Sequence, residues 1–272
     1  AIQTTNTSAL LVSEIEDVVA RGERFAALHS HLGALLVDIV AGPRTTAATI
    51  ETLRGYVHSL GAVPLVLRRE HPGYVFNAMN GSVLAMALRL VIEGRSDRDA
   101  IDRAWMADRG APMGPFGMMD LFGLDLVLDA WRHPSDDPER EAFRPAAISF
   151  LAEQLDRGRL GLKNGLGFYD YPSPAFEEPD FSSSAPVSDE AVDALRSALI
   201  VSAVELARAD VVGLEDIDRA WVVATGLEPG PIEMVDREGV DDVVAMLHEQ
   251  AAAGLIGREA AGVTAAWLQD RR

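Results

Sequence analysis

The pentapeptide Ile101-Asp102-Arg103-Ala104-Trp105 recurs as Ile217-Asp218-Arg219-Ala220-Trp221, a displacement of 116 residues (217 against 101). The same displacement carries Gly114-Pro115 onto Gly230-Pro231, Asp120 onto Asp236, Gly123 onto Gly239 and Asp125 onto Asp241. One shared pentapeptide can arise by chance. Four further matches at a constant offset mean that the chain contains two copies of one unit, so its fold must build that unit twice.

Each copy follows one grammar. A long apolar helix comes first, over Tyr74 to Glu93 and again over Glu190 to Ala209, apolar nearly all round as a buried helix requires. A second helix surrounds Ile101 or Ile217, opened in copy one by Ser96 with Asp99 three residues on. A Gly-Pro turn then starts a third, with Pro115 or Pro231 suited to the first helical turn. Tyr171 to Ser188 carries proline and serine and reads as a linker.

The first 70 residues differ. Arg24 to Leu28, Leu35 to Val40 and Val63 to Leu67 are apolar runs of strand length, and Leu10 to Ala20 and Thr49 to Leu60 have helical spacing. Alternating strands and helices indicate an α/β unit with too few strands for a complete sheet, the tail end of a doubly wound domain. The opening Ala1-Ile2-Gln3-Thr4-Thr5 has no basic or apolar leader character and reads as the middle of a domain.

Composition excludes several classes. Cysteine is absent, which removes disulfides, thiolate metal sites and a cysteine nucleophile. Lys plus Arg is 24 against 42 Asp plus Glu, a formal charge of −18 that repels phosphate backbones, so no nucleic-acid partner is expected. No apolar stretch approaches the ~20 residues of a membrane span, and a cytoplasmic setting is expected.

The groups able to carry chemistry are few. His29 ends one expected strand and Asp38 lies in the next; a carboxylate beside an imidazole fixes its tautomer and stabilises its charged form, as a general base or acid needs. Spacing alone equally permits a water-exposed strand-end histidine beside an unrelated acid. His31, two residues on, shares a strand face with His29, a pattern that also suits a metal, but no third ligand has convincing spacing and no metal is expected. Asn77, in an apolar helix, either binds a ligand oxygen or bridges helices; the second copy has Asp193 there, so copy one alone would face chemistry. Ser8, after Thr5-Asn6-Thr7, is either a strand-end ligand contact or a helix N-cap. Met113, Met118 and Met119 read as core filler. No Gly-x-Gly-x-x-Gly lies between a strand and a helix.

Taken in order, these segments resemble the 3-hydroxyacyl-CoA dehydrogenase family. The resemblance is carried by Thr5-Asn6-Thr7-Ser8, Arg24 to His29, Leu36-Val37-Asp38-Ile39-Val40, Pro72 to Asn77, Pro112 to Phe116 and Gly161 to Tyr169. It covers about Ala1 to Tyr171, and the second copy resembles the second C-terminal domain of longer members.

The resemblance implies a mainly α fold. The tail end of a Rossmann-like α/β domain (residues 1–70, most of the NAD-binding domain missing) would precede two tandem helical C-terminal-type domains, 71–171 and 189–272, joined by a linker at 172–188. It implies NAD-dependent interconversion of 3-hydroxyacyl-CoA and 3-oxoacyl-CoA, with an acyl-CoA thioester as substrate and a homodimer built through the helical domains. His29 would take the hydroxyl proton, Asp38 would orient it, Ser8 and Asn77 would hold the substrate oxygen, and Asn6 would contact the cofactor. Two departures count against full activity: the family's His-Phe-Phe-Asn-Pro is here His29-Ser30-His31-Leu32-Gly33, and its Glu is Asp38. With most of the NAD-binding domain missing by this resemblance, the chain alone is expected to bind NAD poorly and to be inactive. The competing readings are a non-catalytic assembly module derived from the family, and an acyl-CoA pocket whose His29 does acid–base work without cofactor.

Overall fold

A computed structural model describes residues 1–8 and 10–271. The first part of the chain forms β1 (Gln3–Thr5), α1 (Val12–Ile15), β2 (Phe25–Ser30), β3 (Leu36–Ala41), α2 (Ala47–Ser59), β4 (Val63–Val66) and α3 (Phe76–Ile92). Then follow α4 (Arg98–Arg109), α5 (Pro115–Phe122), α6 (Leu124–Arg132) and α7 (Pro138–Asp156). The last stretch holds α8 (Asp189–Arg208), α9 (Leu214–Thr225), α10 (Pro231–Glu238), α11 (Val240–Ala252) and α12 (Arg258–Asp270). The result is mostly helix with one small sheet.

The chain divides into two compact units. The first comprises residues 1–81, 199–243 and the segment from Ala266; the second comprises 82–198 and 244–265.

In the first unit the strands stand in the order β1-β2-β3-β4. β1 is parallel to β2, β2 antiparallel to β3, and β3 parallel to β4. Alternation along the strands divides their side chains between two faces. Ala26, Leu28, Val37 and Ile39 gather on one face with Leu53 and Val57 of α2. Those residues belong to the helix's buried stripe Thr49, Leu53, Val57, at four-residue spacing. The Thr46 side chain starts α2 by accepting the Thr49 N–H. α9, from the second sequence copy, packs against β3 and β4, and its Arg219 donates to the Pro64 carbonyl at the β4 edge at 2.7 Å.

The repeated motif has one physical explanation in both copies. Ile, Ala and Trp at positions one, four and five share a helix face and are buried, Trp105 and Trp221 at 1% exposure. The Asp at position two turns to the next helix and caps it. Asp102 accepts the Phe116 and Gly117 N–H groups of α5 at 2.8 and 3.1 Å. Asp218 accepts those of Ile232 and Glu233 of α10 at 2.7 and 3.0 Å. The glycine of each Gly-Pro pair makes room for that aspartate, since a Cβ at Gly114 would stand 2.3 Å from Asp102 Cα and one at Gly230 2.4 Å from Asp218 Oδ1.

In the second unit Asp120 performs a further anchoring task. It accepts the Phe168 and Tyr169 N–H groups at 2.7 and 2.8 Å and the Tyr171 hydroxyl at 3.2 Å. This folds Gly161 to Tyr171 onto α5, and Tyr169 in turn donates its hydroxyl to Asp102 at 2.9 Å. Its counterpart Asp236 pairs instead with Arg271. The segment expected as a linker is pinned by two buried rings, Phe176 and Phe181, each opening or lying in a short 3₁₀ turn.

Two local expectations are corrected. The helix over Leu10 to Ala20 shrinks to Val12–Ile15 followed by a 3₁₀ turn at Glu16–Val18, because Glu16 folds inward and accepts the Arg44 N–H. The cap of α4 is Asp97, which accepts the Ala100 N–H at 2.8 Å, rather than Ser96.

Candidate active site

β2 and β3 pair with His29 directly opposite Asp38. Their neighbours Leu28 and Ile39 face α2, so alternation sends His29 and Asp38 to the opposite face. There His29 Nδ1 lies 3.0 Å from Asp38 Oδ2, and His31 Nε2 lies 2.8 Å from the same oxygen. A carboxylate only accepts, so His29 presents Nδ1–H and His31 presents Nε2–H. That assignment leaves His29 Nε2 as the nitrogen not engaged with the carboxylate.

All three groups are buried: Asp38 at 0%, His29 at 5% and His31 at 8% exposure. Burial on its own would raise the Asp38 carboxyl. The hydrogen bonds from His29 and His31, and their positive ends, outweigh it and hold the group below its ordinary value. The other carboxylate oxygen, Oδ1, is buried with no hydrogen-bond partner among the described residues.

Aromatic rings enclose the cluster. His29 and His31 meet edge to face with centroids 4.6 Å apart. His31 meets Phe76 in the same way at 5.2 Å, and Phe76 lies 6.0 Å from Trp221 of α9. Tyr74 approaches His29 at 5.3 Å, held at φ 55° with its hydroxyl donating to the Thr7 carbonyl at 2.7 Å. Burial, then the charges of Asp38 and Glu70, push its phenol up to about 12, so it remains a donor at neutral pH.

The structure thus excludes the water-exposed strand-end histidine. It also corrects the expectation that the two histidines lack a third ligand partner. His29, His31 and Asp38 hold their ligand atoms within 4.8 Å of one another, the one such group among the described residues. The spacing of Asp38 concealed this, because only the strand register brings it beside both rings. No fourth protein donor joins them among the described residues, and the shared oxygen already accepts from both imidazoles.

The remaining expected residues are not hydrogen-bonded to this cluster among the described residues. Asn6, at the end of β1, accepts the Ser30 N–H at 3.1 Å and so ties β1 to the end of β2. Ser8 is exposed in a bend and does not cap α1, whose N-cap is Leu11. Asn77 is half-buried as the second residue of α3. No hydrogen bond joins Ser8 or Asn77 to His29 or Asp38 among the described residues. Of Met113, Met118 and Met119, the last is fully buried and the other two half-buried.

Sequence reasoning missed Tyr74, Trp221 and Asn80. Asn80 is buried one helical turn beyond Asn77, with Oδ1 unpartnered among the described residues. The positive φ at Tyr74 follows Gly73, also at positive φ, and a Pro-Gly before an aromatic residue was the available signal. Trp221 had no local signal, since it reaches the site from the second copy.

Comparison with known proteins gives this geometry its context. Residues 73–171 and 191–266 match the family model for the 3-hydroxyacyl-CoA dehydrogenase C-terminal domain, and residues 1–71 match that for the NAD binding domain of the same family. The mitochondrial hydroxyacyl-coenzyme A dehydrogenase of Rattus norvegicus is 35% identical over 174 residues, covering 61% of this chain and 54% of the relative. The fatty acid oxidation complex subunit alpha of Idiomarina loihiensis is 26% identical over 282 residues, covering 94% of this chain and 38% of the relative. The chain therefore spans about half the length, or less, of these curated relatives. Among solved structures, 3-hydroxybutyryl-CoA dehydrogenase of Escherichia coli K12 shares the fold over 100% of this chain and 76% of its own, with a TM-score of 0.77 at 19% identity. With nearly two thirds of its length matched by the C-terminal model and its first 71 residues by the NAD-binding model, the chain belongs to the 3-hydroxyacyl-CoA dehydrogenase family.

Proposed function

We propose that this chain carries the acid–base and acyl-CoA portion of an NAD-dependent 3-hydroxyacyl-CoA dehydrogenase, interconverting 3-hydroxyacyl and 3-oxoacyl thioesters. The observation that supports it most directly is the buried His29–Asp38 pair, at 3.0 Å with the imidazole nitrogen Nδ1 engaged. In that arrangement Nε2 accepts the substrate hydroxyl proton, and Asp38 offsets the imidazolium charge that results. Removal from water strengthens that offset. Ser8 and Asn77 are proposed to hold the substrate oxygen and Asn6 to touch the cofactor.

NAD, when bound, supplies the hydride chemistry. The residues of this chain offer it little more than a margin: Asn6 follows directly on β1, which ends at Thr5, and the sequence has no glycine-rich turn between strand and helix to receive a pyrophosphate.

The same proposal takes residues 1–70 as the NAD-domain portion, and 71–171 and 189–272 as tandem C-terminal-type helical domains joined by 172–188. It includes a homodimer through those domains and a cytoplasmic setting. The matching aspartate caps of the two copies support the tandem reading. Among the described residues no helix is long and apolar enough to cross a membrane.

The test is to express the complete reading frame that contains this sequence and follow NADH consumption with acetoacetyl-CoA. The proposal expects turnover that falls by about 10² or more in His29→Gln, in line with the usual contribution of a general acid or base. No NADH consumption by the wild-type product defeats it. A second reading, a non-catalytic assembly module, draws on the altered His29-Ser30-His31-Leu32-Gly33 segment and on Asp193 at the place of Asn77 in the second copy. It expects a stable dimer with neither turnover nor acetoacetyl-CoA binding.

A further inference from the structure

The Asp38 carboxylate receives two imidazole N–H groups on one oxygen, and the acid–base role requires only one of them. His31 is the unexplained partner. Its side chain is 4% exposed, braced against Phe76 at 5.2 Å, and its carbonyl accepts the Ala34 N–H across the turn that contains Gly33. A site that needed only to be filled would take an apolar ring. An imidazole there must bury a polar N–H, which is stable only when that N–H is satisfied.

The consequence follows from what Asp38 lacks. Its Oδ1 has no partner among the described residues, and both hydrogen bonds fall on Oδ2, from His29 at 3.0 Å and His31 at 2.8 Å. With His29 alone, rotation about the Cβ–Cγ bond is unrestrained and can carry both oxygens off the Nδ1–H direction, which frees the ring to take its other tautomer. With His31 fixed by its own packing, one rotation of the carboxylate satisfies both rings. That rotation selects the His29 tautomer whose Nε2 is unprotonated.

We propose that His31 is a positioning residue, clamping the Asp38 carboxylate so that Oδ2 holds His29 in its Nδ1–H tautomer. The inference concerns the proton location on His29, and its catalytic consequence rests on the dehydrogenase reading.

The test has a structural readout that needs no turnover. Nitrogen-15 imidazole spectra of the 272-residue chain above neutral pH report which ring nitrogen carries the proton at each histidine. Wild type is expected to show His29 protonated at Nδ1 and His31 at Nε2. His31→Phe is expected to lose the preference at His29, with its Nε2–H form appearing. His31→Gln reaches with its amide nitrogen to the place of Nε2 and should restore the wild-type pattern. His31→Asn, whose amide nitrogen falls at the place of Nδ1, should not. Because Gln and Asn are both polar, their contrast decides the matter even where the Phe variant fails to fold.

A His29 tautomer that is the same in wild type, His31→Asn and His31→Gln overturns the proposal, as does a wild-type His31 protonated at Nδ1. In the complete enzyme, His31→Asn is expected to lower kcat by about 10- to 100-fold with KM little changed, the scale of a small displacement in a reacting pair, and His31→Gln to recover most of it. Absence of wild-type turnover would remove the dehydrogenase reading, while the spectra would still decide the role of His31.

Discussion

Replacing the capping aspartate in each copy of the repeat should have unequal costs. Asp102 is fully buried and accepts two backbone N–H groups and the Tyr169 hydroxyl. Asp102→Ala strands three donors at about 1–3 kcal/mol each when buried. Removing a buried carboxylate returns part of that desolvation penalty, so a net loss of about 3–5 kcal/mol is expected. Asp218 is half-buried and accepts two N–H groups, one of them in an exposed setting. Water can replace it there, and Asp218→Ala should cost the usual ~0.5–2 kcal/mol of a lost cap.

Because the chain forms two compact units, one melting midpoint would mix them. Native-state hydrogen exchange at Phe116 and Gly117, and at Ile232 and Glu233, reads each cap separately. Equal losses in the two variants, or a loss below about 0.5 kcal/mol at Asp102, would refute the claim that burial separates these caps.

Asp102 also has a pH signature. Burial outweighs its hydrogen bonds and raises it to about 7, above its unfolded value of about 3.9. The folded state therefore binds the proton more tightly, and this stabilisation is complete below about pH 4 and lost as pH rises through about 7. Urea titrations across that window should show the slope in wild type and a shallower one in Asp102→Asn. Gly114→Ala should cost about 1–3 kcal/mol or more, since its Cβ would meet Asp102 backbone at 2.3 Å. Gly55→Ala, inside α2 with nothing within 4 Å of the new Cβ, should instead stabilise by roughly 0.5–1 kcal/mol. Trp221→Ala should cost about 3–5 kcal/mol and also move the imidazole signals of His31, through Phe76; silent imidazoles would show that α9 does not buttress the site.

Legibility in the sequence followed the range of the interactions. The helices around Ile101 and Ile217 and the Gly-Pro starts at Pro115 and Pro231 could be read directly, because face and proline signals lie within a turn or two, although the cap of α4 fell one residue later than expected. The offset of the repeat showed which aspartates matter without showing why, since the capping contact spans 14 residues from Asp102 to Phe116. His29 and Asp38 were visible as a pair, but their contact depends on a register that neither strand specifies alone. His31 was seen to share a face with His29, yet its bond to the same oxygen needed the short β2–β3 connection in three dimensions. Trp221 could not be foreseen, because α9 returns to the sheet from the far end of the chain. The overlong helix at Leu10 to Ala20 misled because Glu16 fits the helical pattern and instead turns inward toward Arg44.

The most direct test of the central claim is to titrate acetoacetyl-CoA into the nitrogen-15 histidine-labelled chain while observing His29. The account predicts a saturable shift confined to the His29 and His31 imidazoles, absent with free coenzyme A and abolished in His29→Gln. A titration that leaves both imidazoles unmoved would contradict the assignment of this buried cluster as the substrate-facing acid–base site.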